Sequence, residues 1–293
     1  MEFFSSLVLA GISVGAVYAL VALGLNMTFL TTRTLNFGHG SVMMICAMVL
    51  TFGIAQGLPT GVAVLIVLAL AVLLGFFVER LVSPALKTEN SMDWVVATLG
   101  LGILLQGIAA KQFGSQAVAF PALIFSSADY LMIGGMFISY QYLLVLGVSI
   151  VLIILFESFL RFTRWGHAVR AVSMDPTLGR VQGLPVRGII VGSFILSAVL
   201  GGVAGLLVAQ IGGTVDPAFG FNLVVLGFVS AVVGGMGSSL GALAGGILVG
   251  VLSKLVGGYV STAAEQGVAF ALLMLMLWVR PQGLFAQPEV SKA

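Results

Sequence analysis

Apolar runs of about 20 residues, the length that crosses the roughly 30 Å hydrocarbon core of a bilayer as a helix, constrain this chain most. Apolar residues make up 60% of the 293 residues and charged residues only 8%, whereas soluble domains contain about 45–50% and about 25%. A soluble fold cannot bury that much apolar surface. We therefore predict an all-α polytopic membrane protein. Transmembrane β-barrels are excluded, because their strands alternate over segments of about ten residues.

The apolar runs predict about nine membrane segments, within a range of eight to ten, in one transmembrane domain that covers residues 1–293. The N-terminus has no basic region, so the first run is interpreted as a membrane helix and not as a signal peptide. If residues 222–257 form one re-entrant hairpin, the number of crossings falls to eight. The predicted segments are 7–32, 36–55, 61–80, 93–110, 141–160, 189–210, 222–236, 241–257 and 264–280.

Positive charge collects on one side of these segments. Arg33, Arg80, Lys87 and Arg280 follow the first, third and ninth segments, and the loop 161–188 follows the fifth. The positive-inside rule assigns that side to the cytoplasm of a bacterial inner membrane, with a periplasmic N-terminus and a cytoplasmic C-terminus. The loop holds five of the twelve basic residues, namely Arg161, Arg164, Arg170, Arg180 and Arg187.

The arginine-rich loop also contains a predicted short helix, Pro176–Gln182. Asp175 is a suitable N-cap, proline suits the first helical position, and Gly183 suits the residue after the last turn. Leu178 and Val181 are three residues apart and share one face. A helix this short is unstable alone in water, so its apolar face is predicted to dock on a soluble partner. The alternative is a plain cytoplasmic loop whose charge only sets topology.

Glycine is the second signal, with 39 residues. Gly237, Gly241 and Gly245 recur every four residues, which would place them on one helix face and allow a neighbouring backbone to approach closely. A hint of internal duplication accompanies them, because LNFGHGSVMMICAMV and PAFGFNLVVLGFVSAV both place Phe-Gly just before an apolar run. Corresponding segments 1–4 and 6–9 would form an inverted repeat.

Catalytic and metal chemistry are not indicated. The chain has no phosphate-binding GxxxxGK[ST] loop and no nucleophile–base arrangement, so it is not predicted to be an enzyme. His39 has no cluster of Cys, His or acidic residues around it in sequence, so no metal site is predicted. Cys46 is interpreted as buried filler. No nucleic-acid partner is predicted.

Three blocks together resemble one family. They are GAVYALVALGLNMTFLTTRTLNFGHG near the start, RFTRWGHAVRAVSMDPTLGRVQGLPV in the middle, and GFVSAVVGGMGSSLGALAGGILVG with FALLMLMLWVRPQGLF near the end. Their order and spacing resemble the Liv-type permeases of branched-chain amino acid ABC importers, specifically the shorter, LivH-like subunit. The likeness spans almost the whole chain, and residues 111–140 are least typical.

The resemblance implies a type II ABC importer-like permease fold. It also implies a second, LivM-like permease, two cytoplasmic ATPases that bind ATP and Mg²⁺, and a periplasmic binding protein, with no cofactor in this chain. The family's coupling helix falls on 174–184, although Thr177-Leu178-Gly179-Arg180 departs from the usual pattern. The implied coupling residues are Met174, Asp175, Pro176, Thr177, Leu178, Gly179, Val181, Gly183 and Leu184. Asn36, Phe37, Gly38 and His39 are the expected path or gate.

Alternatives remain at this point. An ion- or proton-coupled secondary transporter would need an acid or cation site at mid-membrane, and none is evident in the sequence. A purely structural membrane subunit would need no capped docking helix. Members of the resembling family handle branched-chain amino acids, amides, urea or aromatic acids, so the substrate stays open.

Overall fold

The computed structural model describes residues 2–85, 93–125, 129–133 and 136–285. Within these ranges the chain forms eleven α-helices and four short strands. Lys87, one of the predicted cytoplasmic charges, lies outside the described residues. The helices are α1 (Glu2–Thr32), α2 (His39–Ala55), α3 (Thr60–Val82), α4 (Asp93–Phe113), α5 (Tyr140–Phe162), α6 (Arg164–Met174), α7 (Pro176–Val181), α8 (Val186–Gly212), α9 (Phe219–Gly234), α10 (Ser239–Tyr259) and α11 (Ala264–Val279).

Each of the nine predicted membrane segments coincides with one of these helices. In the described part of the chain six of them, α1, α3, α4, α5, α8 and α10, are long and apolar enough to cross a bilayer. The other three, α2, α9 and α11, have 17, 16 and 16 residues. At about 1.5 Å per residue these three reach only about 24–26 Å, less than a full hydrocarbon core.

Helix α1 occupies the centre of the molecule. Residues 13–28 are all buried, and α1 packs against α5, α8, α9 and α10. A helix that is apolar on every side fits such complete enclosure by other helices. Helices α3, α4 and α5 instead leave large apolar side chains such as Leu65, Ile103 and Ile154 exposed. We assign those faces to lipid, because no other described part of the chain covers them.

Helix contacts in the second half repeat those in the first. The pairs α1–α10, α1–α9, α2–α3 and α2–α4 correspond to α8–α3, α8–α2, α9–α10 and α9–α11. This correspondence follows if α1–α4 match α8–α11. Two further close pairs, α1–α8 and α2–α9, join each helix to its own counterpart. The duplication suggested by the sequence is therefore visible in the packing.

The expectation of an all-α chain is incomplete. Two small antiparallel sheets are present, one pairing β1 (Val118–Ala119) with β4 (Thr214–Val215) and one pairing β2 (Tyr130–Ile133) with β3 (Met136–Ser139). They form between helix ends, where Gly213 closes α8 in the left-handed conformation with φ of 68°. Chain that leaves the helices needs new partners for its backbone groups, and these short ladders supply them.

Candidate functional site

The arginine-rich loop folds into two capped helices. The Thr163 hydroxyl accepts a hydrogen bond from the Gly166 N–H (3.0 Å) at the start of α6. The Asp175 carboxylate accepts hydrogen bonds from the backbone N–H groups of Thr177 (2.7 Å) and Leu178 (3.2 Å) at the start of α7. Gly183 follows α7 with φ of 80°. The predicted cap, proline and glycine stop are confirmed, and α7 ends at Val181, one residue before the predicted end.

One face of α7 is apolar and uncovered. Leu178 is 59% exposed, Val181 80% and Met174, just before the helix, 81%. The opposite face carries Gly179, which is buried and lies against Val172 and Val186. Helix α7 is therefore held to the rest of the chain by its small face, and its large apolar side chains point away from the molecule.

The remaining predicted coupling residues divide between these two faces. Thr177 and Pro176 are exposed on the surface of α7, whereas Leu184 packs against the main hydrophobic core. Gly179 is buried and Leu184 is partly buried against the core, so both position the helix.

A contact that the sequence did not predict ties this loop to the central helix. Arg33 follows α1, and its guanidinium donates a hydrogen bond of 2.7 Å to the backbone carbonyl of Ser173 at the end of α6. Arg33 has φ of 58°, a left-handed conformation that is uncommon for a residue with a side chain. The charge pattern alone placed Arg33 on the loop's side of the membrane, but no local signal identified its partner.

The predicted path residues lie at a buried junction of α1, α2, α4, α8 and α9. The His39 ring is wedged between two glycines: a Cβ at Gly24 would lie 2.7 Å from its Cε1, and one at Gly201 2.5 Å away. Its Nδ1 lies 3.1 Å from the Ser197 hydroxyl. Its Nε2 is buried and has no hydrogen-bond partner within the described ranges. Only glycines leave room for a ring between α1 and α8.

The residues before His39 complete this junction. Phe37 stacks on Trp94 of α4 with ring centroids 6.4 Å apart, and it contacts Phe228 of α9 at 6.1 Å. Asn36 is buried, and its Oδ1 has no hydrogen-bond partner in the part of the chain that the structure describes. Gly38 is the N-cap of α2 and forms no side-chain cap. The structure brings all four predicted path residues together in a packed interior.

The same local backbone pattern recurs at the start of α9. The His39 N–H donates a hydrogen bond of 3.2 Å to the Asn36 carbonyl, and the Phe219 N–H donates one of 3.2 Å to the Asp216 carbonyl. This pattern matches Gly40 with Gly220, and those two glycines meet backbone to backbone. The sequence suggested another register, in which the Phe-Gly pairs coincide; the structural register differs from it by two residues.

Glycine rows pack the helices as predicted, with one correction. A Cβ at Gly15 would lie 2.6 Å from the Gly246 carbonyl oxygen, and Gly241 and Gly245 of α10 meet the backbone of α9. Gly237, however, does not lie on the helix face predicted for it. It stands in the turn before α10 with φ of 85°, where its N–H donates to the Asn26 side chain at 3.2 Å. The three glycines are four residues apart in sequence, but Gly237 lies in a turn and therefore does not share the helix face of Gly241 and Gly245.

The described residues contain neither a metal-binding cluster nor an exposed thiol. No group of three or more His, Cys, Asp or Glu side chains is placed to hold a metal ion there. Cys46 is fully buried within the α2–α3–α8 packing, as expected for filler.

Comparisons with known proteins agree along almost the whole chain. The family described as branched-chain amino acid transport system / permease component matches residues 7–279. The high-affinity branched-chain amino acid transport system permease protein LivH of Salmonella typhimurium is 31% identical, over 96% of this chain and 95% of the relative. Its counterpart BraD of Pseudomonas aeruginosa is 30% identical, over 96% and 95%.

A solved structure shares the fold. PsaBC from Streptococcus pneumoniae in complex with Fab matches with a TM-score of 0.52 at 14% identity, over 96% of this chain and 93% of that chain. At that identity the match concerns the arrangement of helices alone.

Proposed function

The chain belongs to the family of branched-chain amino acid transport permease components, and from this membership we propose that it forms the translocation path of an ATP-driven ABC importer. It is a multi-pass membrane permease and not an enzyme. Its relatives are named as high-affinity permeases for branched-chain amino acids. We propose the same substrate class here. The energy would come from ATP and Mg²⁺ on separate ATPase subunits.

The uncovered apolar face of α7 carries this proposal. Leu178 and Val181 stand on a capped, two-turn helix that is packed on its other side, and both are more than half exposed. Isolated surface apolar residues are common. A short, capped helix that presents two of them at helical spacing is typical of a surface that enters a partner's groove. We propose that this face, with Met174, docks on a cytoplasmic ATPase.

The proposed assembly contains four kinds of subunit. This chain would pair with a second, related permease, two ATPases would bind on the side of the arginine-rich loop, and a periplasmic binding protein would deliver the substrate. Nine crossings fit the charge pattern, with the N-terminus periplasmic and the C-terminus cytoplasmic. The short helices α2, α9 and α11 would then cross with help from the chain at their ends.

We propose that the junction at Asn36–His39 gates the path. Helix α2 begins inside the molecule, so the backbone before it must be satisfied by protein or by a cavity. Asn36 and His39 each keep one buried polar atom without a partner among the described residues. A rocking motion of the two repeats would separate α2 from α9 here and expose the buried polar atoms of Asn36 and His39 to a substrate.

Copurification tests the proposal directly. The tagged permease, expressed with the other subunits of its transport system and extracted in mild detergent, should retain the ATPases and the second permease. Proteoliposomes of that complex should take up radiolabelled leucine only with ATP inside and binding protein outside. Uptake by the permease alone, driven by a proton or sodium gradient, would identify a secondary transporter instead.

A further inference from the structure

A cavity of about 610 Å³ opens behind α7, on the side away from Leu178 and Val181. It lies among the ends of α1 and α3, helix α7 and the beginning of α8. Its volume falls within the roughly 300–1,000 Å³ of small-molecule sites. None of the functional assignments above uses this cavity.

Glu79 of α3 is the most unusual residue in its wall. It is 3% exposed, and in the described part of the chain its carboxylate takes part in no ion pair and no side-chain hydrogen bond. Its oxygens are not among the fully enclosed polar atoms, so they face the cavity, where no counter-charge from the described residues meets them. Such a group, lining a cavity, is suited to bind a cation that enters from solution.

The opposite charge lies in the same wall. Arg180 of α7 and Arg187 of α8 both line the cavity. Within the described ranges neither guanidinium forms an ion pair, and neither lies close enough to Glu79 to form a salt bridge. The guanidinium fork matches a carboxylate in shape and charge. The rest of the wall is mixed: it contains the apolar side chains of Pro185, Val186 and Ile190 and the hydroxyls of Thr31, Thr32 and Ser83.

We propose that this cavity binds a free α-amino acid with an aliphatic side chain. The ligand's ammonium would meet Glu79, its carboxylate would meet Arg180 or Arg187, and its side chain would lie on Val186 and Ile190. Only a ligand that carries both charges on a small frame satisfies the two ends of the site together. The site lies on the loop's face of the protein and is separate from the junction at His39.

The position of the cavity gives binding a consequence. Helix α7 contributes Pro176 and Arg180 to the wall, while Leu178 stands on its other side. A bound amino acid would hold α7 against α3 and α8 and restrict its movement. Inhibition of transport by accumulated product follows from this, and that consequence rests on the proposed function. The binding site itself does not.

Binding is tested on the purified permease alone in detergent, with tritiated L-leucine in a scintillation proximity assay. We expect saturable binding at one site. Leucinamide lacks the carboxylate and 4-methylpentanoate lacks the ammonium, so each should compete at least about tenfold more weakly than leucine, which corresponds to about 1.4 kcal/mol. Absence of leucine binding, or competition by either analogue as strong as competition by leucine, would overturn the proposal even if every variant failed to fold.

Substitutions locate the site. Glu79→Gln and Arg187→Gln keep side-chain size and remove charge, and each should weaken leucine binding at least about tenfold. Arg164→Gln, on the same loop but outside the cavity, is the matched control and should bind normally. In a Cys46→Ala background, leucine should also protect Ser83→Cys, in the cavity wall, from a methanethiosulfonate reagent. Wild-type affinity in both charge variants, or no protection at Ser83→Cys, would place bound leucine elsewhere and refute the assignment.

A lipid headgroup with an ammonium and a phosphate shares part of this chemistry. Soluble glycerophosphoethanolamine therefore serves as a further competitor. It should compete at least about tenfold more weakly than leucine, because its phosphate and glycerol do not fit an aliphatic wall. Stronger competition by glycerophosphoethanolamine than by leucine would identify a lipid site and overturn the amino acid assignment.

Discussion

Gly40 of α2 and Gly220 of α9 meet backbone to backbone, so closely that a methyl group on either would overlap the other's carbonyl. Both stand one residue after the start of their helices, and the same backbone hydrogen bonds precede each. They lie where the two repeats touch through equivalent positions. The two helices therefore meet at positions that share one local backbone pattern.

Gly220→Ala should destabilise the protein, because the added methyl group would press on the backbone of Gly40 and not on a movable side chain. Overpacking of this kind costs about 1–3 kcal/mol. The midpoint of thermal unfolding in detergent, followed by fluorescence gel filtration, should fall measurably. Gly100→Ala is the control, since a Cβ there meets nothing within 4 Å. Equal midpoints for both variants would show that the repeats are not in firm contact.

His39→Phe should fold better than His39→Ala. Phe219 already occupies the corresponding position in the second repeat, and the His39 Nε2 makes no hydrogen bond to lose among the described residues. Phenylalanine loses only the bond to Ser197, worth about 1 kcal/mol, whereas alanine empties the space between α1 and α8 at about 2–5 kcal/mol. Thermal midpoints rank the two variants. The reverse order would mean that the polar atoms of His39, and not its volume, hold the junction.

Much of the helix plan is predictable from the sequence, because run length and apolarity are local properties. The segment predicted at 241–257 is the helix Ser239–Tyr259, and Asp175-Pro176 does begin α7. The first segment, predicted to start at residue 7, begins at Glu2, since an acid and two phenylalanines at a chain end carry no clear boundary signal.

Relations between distant residues were not predictable. Arg33 and Ser173 are 140 positions apart, and their hydrogen bond depends on where two helices end. The register between the two repeats was also not predictable. The sequence suggests that the two Phe-Gly pairs are equivalent, but the backbone geometry matches Gly40 with Gly220. Glu79 did carry a signal, as the one acid of α3, but it stands beside Arg80 in the sequence, and its cavity forms only once four elements meet.

Sidedness is the third prediction. Gln182 is exposed just after α7, and Ser115 is exposed between α4 and β1. In a Cys46→Ala background, Gln182→Cys should resist an impermeant thiol reagent in intact cells and react in inverted vesicles, because basic loops are retained in the cytoplasm. Ser115→Cys is the control and should behave in the opposite way. Labelling of Gln182→Cys from outside would reverse the orientation and remove the ATPases from that face.

Arg33→Gln should partly uncouple transport. The variant keeps a side chain at the left-handed position but loses the charged donor to the Ser173 carbonyl. An exposed charge-assisted bond contributes about 1 kcal/mol. We therefore expect uptake per ATP hydrolysed to fall by about fivefold, while the ATPases stay bound. Arg80→Gln, at the end of α3, is the comparison. If reconstituted Arg33→Gln kept the wild-type uptake per ATP hydrolysed, the hydrogen bond from Arg33 to Ser173 would have no role in coupling.

The final prediction concerns the exposed face of α7. Burying Leu178 and Val181 in a groove should contribute about 1.5–3 kcal/mol each, so losing both should weaken ATPase binding by roughly two to four decades. The double variant Leu178→Asp with Val181→Asp should weaken ATPase binding by at least that much, because it also brings unpaired charge to the interface. Both side chains point away from the permease, so the variant should elute normally on gel filtration yet lose the ATPases and all uptake.

Gln182→Asp separates charge from apolar contact. It adds a carboxylate one residue after α7, where the side chain is already polar and exposed. If docking depends on the apolar anchors, this variant should retain the ATPases and most uptake, because charge on an exposed rim contributes little to affinity. If Gln182→Asp lost the ATPases and uptake as completely as the double aspartate variant, the partner would recognise the charge of the loop. Full uptake by the double aspartate variant would move the docking contact away from α7.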